Sequence, residues 1–147
     1  MTEPILVGTD GSETATIAVS ETADLAANPN AKLLVLSAFL NVTDTKLGKQ
    51  ARNMPAPKHW RSAHRAEAEE VLTKAVDSLG QIDVSVEAVA QEGDPADAVV
   101  GVAEERKADI IVVGNKGMAG IKRFLLGSVP SRVAHHAPCS VFLVRTT

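Results

Sequence analysis

Near the end of the chain, the stretch from Asp109 to Ala134 limits the possible folds more than any other segment. It opens with a β-branched apolar run, Ile110 to Val113, which is typical of a short buried strand. Glycines at positions 114, 117 and 127 then punctuate a loop, and a helical pattern begins at Ser128. Glycines allow a backbone to approach a ligand closely, and a helix start offers unpaired N–H groups. The stretch therefore predicts a strand, a loop and a helix arranged to hold an anion.

The rest of the chain repeats the same alternation of strand and helix. Strands are predicted at Pro4 to Gly8, Lys32 to Leu40, Ile82 to Ala90, Asp109 to Gly114 and Ser140 to Val144. Helices are predicted after Ser12, from Trp60, from Pro95 and from Ser128. The second strand is apolar along nearly its whole length, which indicates burial on both faces, whereas the third alternates and is placed at a sheet edge. This order predicts an α/β fold with a parallel sheet.

The ends of the helices carry their own signals. Ser12 is expected to cap the first helix, which should end near Asn28-Pro29, with Ile17 and Leu25 among its apolar residues at roughly helical spacing. Ser128 is expected to cap the last helix in the same way. The segment from Asn41 to Lys58 has no clear period and is interpreted as a flexible excursion.

Composition and charge exclude several classes of protein. The 147 residues fit one domain spanning residues 1–147, and the formal net charge of -3 argues against nucleic acid binding. A single cysteine, Cys139, excludes an internal disulfide framework and fits a reducing compartment. The N-terminal segment lacks the features of a secretory signal, and no run approaches the ~18 apolar residues of a membrane span. We therefore expect a cytoplasmic protein that binds neither nucleic acid nor membrane.

Two loops are the best candidates for a binding site. In doubly wound sheets, ligands bind beyond the carboxyl ends of the strands, where the strand order reverses. The loops Gly8 to Ser12 and Gly114 to Ser128 would face one crevice if their strands are neighbours. Asp10 is a poor neighbour for a phosphate because it is negative, so it suits the hydroxyl or amino donors of a ribose or base. Ser128 offers a hydroxyl and helix-start N–H groups to a phosphate.

The signatures of common enzymes are absent from the sequence. The chain has no G-x4-G-K-[ST] phosphate loop, no G-x-S-x-G nucleophile elbow and no G-x-G-x-x-G after the first strand. No residue is evidently placed to activate a water molecule. His135 and His136 are adjacent on a predicted helix and point apart, which disfavours a metal site. The chain is therefore predicted to be a non-enzyme with no catalytic residues and no metal ligands.

Two motifs resemble those of a known family. The sequence GTDGS at residues 8–12 and the spacing G-x2-G-x9-G-S from Gly114 to Ser128 are similar to those of universal stress proteins (UspA-like). The resemblance covers essentially the whole chain. It implies a doubly wound, five-stranded parallel sheet in the order 3-2-1-4-5 with helices on both faces, and it points to the ATP-binding branch of the family. It also implies a homodimer formed through the last strand, Val141 to Val144.

The resemblance further implies a role for each matching residue. Gly8 and Asp10 would hold the adenine or ribose, and Ala38 would present its backbone to the adenine. Gly114 would lie beside the ribose. The phosphates would be held by Gly117, Gly127, Ser128 and Val129.

These observations leave several hypotheses about function open. The first is a stress-response sensor or adaptor that binds ATP, which Mg²⁺ could accompany, because Lys116, Lys122 and Arg123 suit a longer phosphate chain. The second keeps the site but has cAMP or AMP as its ligand. The third is a nucleotide-independent dimeric module that binds an unknown protein partner through Asn41 to Lys58. A hydrolase, the fourth, would have to release phosphate above the level of an Asp10→Ala variant.

Overall fold

The computed structural model describes residues 3–26, 30–40, 59–115 and 127–146. Strands β1 to β5 span Glu3–Gly8, Ala31–Phe39, Ser85–Glu92, Ile110–Gly114 and Ser140–Val144. Helices α1 to α4 span Glu13–Leu25, His59–Leu79, Pro95–Glu105 and Ser128–His136. The predicted excursion from Asn41 to Lys58 lies outside the described residues, as do Lys116, Gly117, Lys122 and Arg123.

All five strands form one parallel sheet in the order β3-β2-β1-β4-β5, as predicted. The chain winds from β1 outwards to β3, and then returns to pair β4 with the other side of β1. Strand β1 therefore lies in the middle of the sheet, and the strand order reverses between β1 and β4. The carboxyl ends of these two strands open side by side, which is where a doubly wound sheet binds its ligands.

The core forms two layers, one on each face of the sheet. Helices α1 and α2 cover one face, where Val7, Leu33 and Leu72 belong to one buried cluster. Helices α3 and α4 cover the other face, where Leu6 and Val133 belong to a second cluster. Successive residues of β1 thus point to opposite layers, and both are fully buried. This explains why the central strands read as continuous apolar runs instead of alternating ones.

The third strand lies at the sheet edge as predicted, but it begins later than the alternating pattern suggested. The ladder with β2 starts at Ser85, whereas the pattern predicted a start at Ile82. Ile82 and Val84 are partly buried and pack against the core cluster beside α1 and α2. The alternating pattern therefore begins with residues that are partly buried but lie before the strand. Hydrogen bonding to β2 begins only after them.

The predicted start of α1 agrees with the structure, whereas its predicted end does not. Ser12 caps its start, since its Oγ accepts the N–H of Ala15 at 3.2 Å. The helix ends at Leu25, before the predicted Asn28-Pro29, which are outside the described residues. Ile17 and Leu25 are exposed, and the face that packs on the sheet carries the smaller residues Ala18, Val19 and Thr22. Small residues on that face let the helix approach the strands closely.

The prediction that Ser128 caps the last helix is wrong. Gly127 occupies the cap position with an extended backbone, φ −57° and ψ 158°, and Ser128 is already the first helical residue. No side chain caps this helix start. Serine at the first helical position keeps a helical backbone, so its hydroxyl is not in the capping geometry.

Among the residues that the structure describes, no helix is both long enough and apolar enough to span a bilayer.

Candidate functional site

A cleft opens at the carboxyl ends of β1 and β4, at the point where the strand order reverses. It holds a cavity of about 110 Å³ that opens to solvent. The described residues lining it are Gly8, Thr9, Asp10, Ser12, Thr14, Ala15, Leu36, Ala38, Pro95, Val99, Val113, Gly114, Val129 and Pro130. Most of these side chains are apolar or small, which suits a flat heterocycle better than a highly charged group.

The turn after β1 forms one side of the cleft. Thr9 is buried, and its N–H donates to the carbonyl of Leu36 on β2 at 2.8 Å, which extends the ladder beyond the strand. Its Oγ1 accepts the N–H of Gly11 at 3.1 Å, and Asp10 Oδ1 accepts the N–H of Ser12 at 2.9 Å. Gly11 has a φ of +82°, a conformation that favours glycine. The turn is therefore anchored to β2 at Thr9 and closed beyond it by side-chain hydrogen bonds between near neighbours.

Asp10 is an exposed carboxylate on the wall of the cleft. An ionised carboxylate has about four acceptor positions, and the turn uses one of them for the N–H of Ser12. The remaining capacity could accept a hydroxyl or amino group of a ligand.

Gly8 packs closely against α3. A Cβ built on Gly8 would lie 3.2 Å from Cγ2 of Val99, which is buried on α3. Both residues line the cleft, so the floor of the cleft is the place where the end of β1 and the first turns of α3 meet. A side chain at position 8 would push against α3.

The opposite side of the cleft is built around the residue after Gly114. Asn115 donates its backbone N–H to the carbonyl of Val144 at 2.8 Å, and its own carbonyl accepts the N–H of Gly127 at 3.2 Å. Its side-chain Oδ1 accepts both the N–H and the Oγ1–H of Thr146, at 2.9 Å and 3.0 Å. This single residue therefore connects the end of β4 with the start of α4 and with the chain after β5.

An ion pair joins the two helices on this face of the sheet. The guanidinium of Arg132 on α4 contacts Asp94 Oδ2 at 2.8 Å and Asp97 Oδ1 at 3.0 Å. Asp94 also caps α3, since the same Oδ2 accepts the N–H of Ala96 at 3.1 Å. Because Pro95 and Val129 both line the cleft, this contact helps to fix the distance between the two helix starts.

The structure brings together five of the eight predicted site residues. These line the cleft and are Gly8, Asp10, Ala38, Gly114 and Val129. Gly127 is buried and Ser128 is exposed at the start of α4, and neither is among the residues lining the cleft. Gly117 lies outside the described residues.

Several lining residues were not predicted from the sequence. Pro95 and Val99 come from α3, and Thr14 and Ala15 come from α1. A signal was available, because every helix that follows a parallel strand must begin near the carboxyl edge of the sheet. The predicted start of α3 at Pro95 was therefore enough to place this helix beside the cleft.

The described residues contain no group of three or more metal-binding side chains of the His, Cys, Asp and Glu types. Asp10 is the one carboxylate among the residues that line the cleft in this part of the chain. Mg²⁺ is commonly held by one or two carboxylates together with phosphates of the substrate. Among the described residues, the cleft therefore offers a cation one carboxylate, that of Asp10.

Comparison with known proteins gives a consistent picture. The universal stress protein family matches residues 1–145. A universal stress protein of Mycobacterium tuberculosis is 35% identical over 144 residues, which cover 97% of this chain and 96% of that protein. The crystal structure of a universal stress protein in complex with cAMP is 33% identical, covers 99% of this chain and 98% of that chain, and has a TM-score of 0.69. A universal stress protein from Lactobacillus plantarum shares the fold with a TM-score of 0.82 at 24% identity, covering 97% of each chain.

Proposed function

The chain belongs to the universal stress protein family, and from that premise we propose that it binds an adenine nucleotide, ATP in the first place, in the cleft between β1 and β4. The observation that carries the proposal is the convergence of five predicted site residues on one cleft. They come from three strands, the turn after β1 and the start of α4, which are brought together only by the fold. Such convergence at the switch point of a doubly wound sheet is where a ligand is expected.

The cleft suggests how the nucleotide would be oriented. The base would lie among the apolar residues between Ala38 and Val99, with the ribose hydroxyls near Asp10. The phosphates would extend towards Gly114 and the start of α4, where free helix N–H groups favour negative charge. This arrangement keeps the negative Asp10 away from the phosphates. The reverse orientation would place like charges together and would cost binding energy.

A second candidate ligand is cAMP. The relative whose structure contains cAMP is 33% identical to this chain and matches nearly all of it. A cyclic phosphate is compact and carries a single negative charge, so it would need fewer donors at the start of α4 than a triphosphate. Competition between the two nucleotides for one cleft is therefore a direct way to rank them.

We propose a regulatory role without catalysis. The described residues lining the cleft include no histidine, cysteine or lysine, and Asp10 is their one carboxylate. A base that activates water should lie within hydrogen-bond reach of the attacked phosphate, and Asp10 lies on the ribose side in the proposed orientation. The protein would then act in the cytoplasm as a sensor or adaptor whose surface depends on nucleotide occupancy.

We also propose that the chain forms a homodimer through β5. This strand is at the edge of the described sheet, and Phe142 and Leu143 are 45% and 44% exposed. Adjacent residues of a strand point to opposite faces, so both faces of this edge present a large apolar side chain. At the other edge, by contrast, Glu87 on β3 pairs with Lys32 and Arg106. An apolar edge suits pairing with a second copy, while a charged edge discourages it.

Nucleotide binding is tested by isothermal titration calorimetry with ATP, AMP and cAMP on the wild type and on Val129→Glu. Val129 lines the cleft at the second position of α4, where a carboxylate stabilises the helix but repels phosphates. We expect Val129→Glu to weaken ATP binding by at least about tenfold, and cAMP binding less, since like charges close together repel each other. Val129→Gln is the matched neutral control and should stay near the wild type.

Two results would count against the nucleotide proposal. The first is the absence of heat and of any thermal shift with all three nucleotides. The second is equal ATP affinity for Val129→Glu and Val129→Gln, which would place the phosphates away from the start of α4.

Dimerisation is tested by sedimentation velocity on the wild type, Phe142→Lys and Ile17→Lys. Phe142 lies on the edge strand, whereas Ile17 is an exposed apolar residue on α1 and serves as the matched control. We expect Phe142→Lys alone to sediment as a monomer. A monomeric wild type, or a dimer that survives Phe142→Lys, would contradict pairing through β5.

A further inference from the structure

Asn115 makes hydrogen bonds to two separate segments of the chain, the start of α4 and the end of the chain from Val144 to Thr146. Its N–H and carbonyl bond to Val144 and Gly127, and its side-chain oxygen accepts two hydrogen bonds from Thr146. Both Asn115 and Thr146 are partly buried. The sequence offered no role for Asn115, because none of its partners is near it along the chain. The structure places it directly after Gly114, which lines the cleft.

The side-chain contacts of Asn115 fix the orientation of its amide. The backbone N–H of Thr146 can only donate, so the atom that meets it must be the amide oxygen. The hydroxyl of Thr146 donates to the same oxygen and thereby holds the side chain from a second direction. The oxygen has two lone pairs, and Thr146 occupies both of them. The position of Asn115 is thus determined by a residue that follows the edge strand β5.

These contacts form a route from the tail of the chain to the cleft. Thr146 holds Asn115, and Asn115 in turn holds the backbone of Gly127, which is the cap residue of α4. Two residues further, Val129 lines the cleft. Each link is a hydrogen bond or a covalent connection within a helix start. A change at Thr146 is therefore transmitted to the place where phosphates would bind.

We propose that Asn115 is a positioning residue for the nucleotide, and that Thr146 controls nucleotide affinity through it. The inference rests on the proposed nucleotide function. A contact between Thr146 and Asn115 that is stronger in the nucleotide-bound protein raises nucleotide affinity. By thermodynamic linkage, bound nucleotide strengthens that contact by the same free energy. Nucleotide binding and the attachment of the tail to Asn115 therefore stabilise each other. Since Thr146 lies two residues after the end of β5, the coupling extends to the edge strand as well.

The first test compares Thr146→Val with Thr146→Ser. Valine has the shape of threonine but no hydroxyl donor, whereas serine keeps the donor to Asn115 Oδ1. Calorimetry with ATP and with cAMP should show about two- to tenfold weaker binding for Thr146→Val, the size carried by one net hydrogen bond. Thr146→Ser should recover most of the wild-type affinity. Thr73→Val, which removes a hydroxyl bond within the exposed part of α2, is the control and should bind like the wild type.

The second test needs no variant. The N–H of Thr146 is itself one of the donors to Asn115, so its exchange with solvent reports on the contact. We expect NMR-detected exchange of this amide to slow when saturating ATP or cAMP is added. A purely structural role for the contact would leave the exchange rate unchanged by ligand.

The outcomes separate the two proposals. If the wild type binds nucleotide, but Thr146→Val binds equally well and the Thr146 amide exchanges at the same rate with and without ligand, the coupling is wrong and the nucleotide function stands. If the wild type binds none of the nucleotides, both proposals fail. If Thr146→Val proves unstable in urea denaturation, the exchange measurement on the wild type still decides.

Discussion

The two turns beside the cleft are built in opposite ways. After β1, the turn from Thr9 to Ser12 is closed by side-chain hydrogen bonds that span two or three residues. After β4, Asn115 is held by residues that lie between 12 and 31 positions away along the chain. The first turn is encoded locally and the second exists only when β5, α4 and the tail are in place. One wall of the cleft thus depends mainly on contacts between residues that are close in the sequence. The other wall depends on contacts between residues that are far apart in the sequence.

This difference predicts which substitutions should reduce the stability of the protein most. The local turn depends on particular backbone angles and particular caps, so a single change cannot be compensated by neighbours. The other wall distributes its stability over several weaker, partly exposed contacts. Substitutions after β1 should therefore cost more stability than substitutions after β4.

The largest expected effect is that of Gly11→Ala. Gly11 has a φ of +82°, and an added Cβ would meet Cγ2 of Val71 at 3.1 Å. A left-handed backbone with a side chain costs roughly 1–2 kcal/mol, and the close contact raises the total to about 1–3 kcal/mol of unfolding free energy. Urea denaturation measures the loss.

Gly101→Ala is the matched control for that experiment. Gly101 lies within α3, is exposed, and has open space where a Cβ would be placed. Alanine is preferred over glycine inside a helix by about 1 kcal/mol, so this variant should be more stable than the wild type. Two glycine-to-alanine changes of opposite sign would support the contrast, and equal losses would refute it.

A smaller effect separates the two helix starts. Ser12→Ala removes the cap of α1 and should cost about 1 kcal/mol, within the usual range of 0.5–2 kcal/mol. Ser128→Ala changes an exposed residue that caps nothing and should cost less than about 0.5 kcal/mol. Thermal and urea unfolding of the two variants measure the difference. A similar loss for both would show that the hydroxyl of Ser128 contributes to folding in a way that its position does not suggest.

Loss of the exposed ion pair on the other wall should reduce stability still less. Arg132→Gln removes the contacts with Asp94 and Asp97, which are both solvent-accessible. Such pairs are worth about 0.2–1 kcal/mol, and salt weakens them further. We expect a small loss of stability in dilute buffer that disappears near 1 M NaCl. A loss that persists at high salt would mean that Arg132 packs the helices together through its aliphatic chain.

The smallest effect at neutral pH concerns Cys139, which packs against the core cluster under α3 and α4. Burial raises the pKa of its thiol above the ordinary value, the carboxylate of Asp109 adds to the rise, and a backbone hydrogen bond from Ile111 opposes it. The folded state therefore disfavours the thiolate. The stability contribution is complete below the unfolded pKa of about 8.5 and is lost as the pH rises through the folded pKa.

The measurement compares urea denaturation of the wild type and Cys139→Ala at neutral and alkaline pH. The wild type should lose more stability than the alanine variant as the pH rises past about 8.5, the pKa of a free thiol. Alkylation by iodoacetamide should also be slower than that of glutathione at the same pH. A pH dependence that is identical in both proteins would show that the thiol ionises as freely as in water.

The contrast between the turns also explains which features the sequence predicted correctly. Ser12 was identified as a helix cap because a cap interacts with residues two or three positions away. The strand and helix alternation predicted an α/β fold with a parallel sheet, and the family resemblance implied the strand order; the structure confirms both. Local patterns carry the information for caps and elements, whereas the strand order came from the resemblance.

The errors arose where distant contacts decide the conformation. Ser128 looked like a cap, but the backbone of Gly127, which is bonded to Asn115, takes the cap position instead. The β3 ladder begins at Ser85 because pairing with Lys32 on β2 sets its start, and an alternating pattern cannot report that. The contact of Arg132 with Asp94 joins two helices and leaves no signal in either.

The central position of β1 has a consequence for the order in which the protein can be completed during synthesis. Its first partner, β2, is made soon afterwards, but its second partner, β4, is more than a hundred residues later in the chain, at Ile110–Gly114. At ~5–20 residues per second, a ribosome needs roughly 5–20 s to make that stretch. Throughout this time one side of β1 has no strand beside it, and half of the cleft has not been translated. A nucleotide could therefore stabilise only the finished chain, and the nascent chain must protect the open side of β1 without that help.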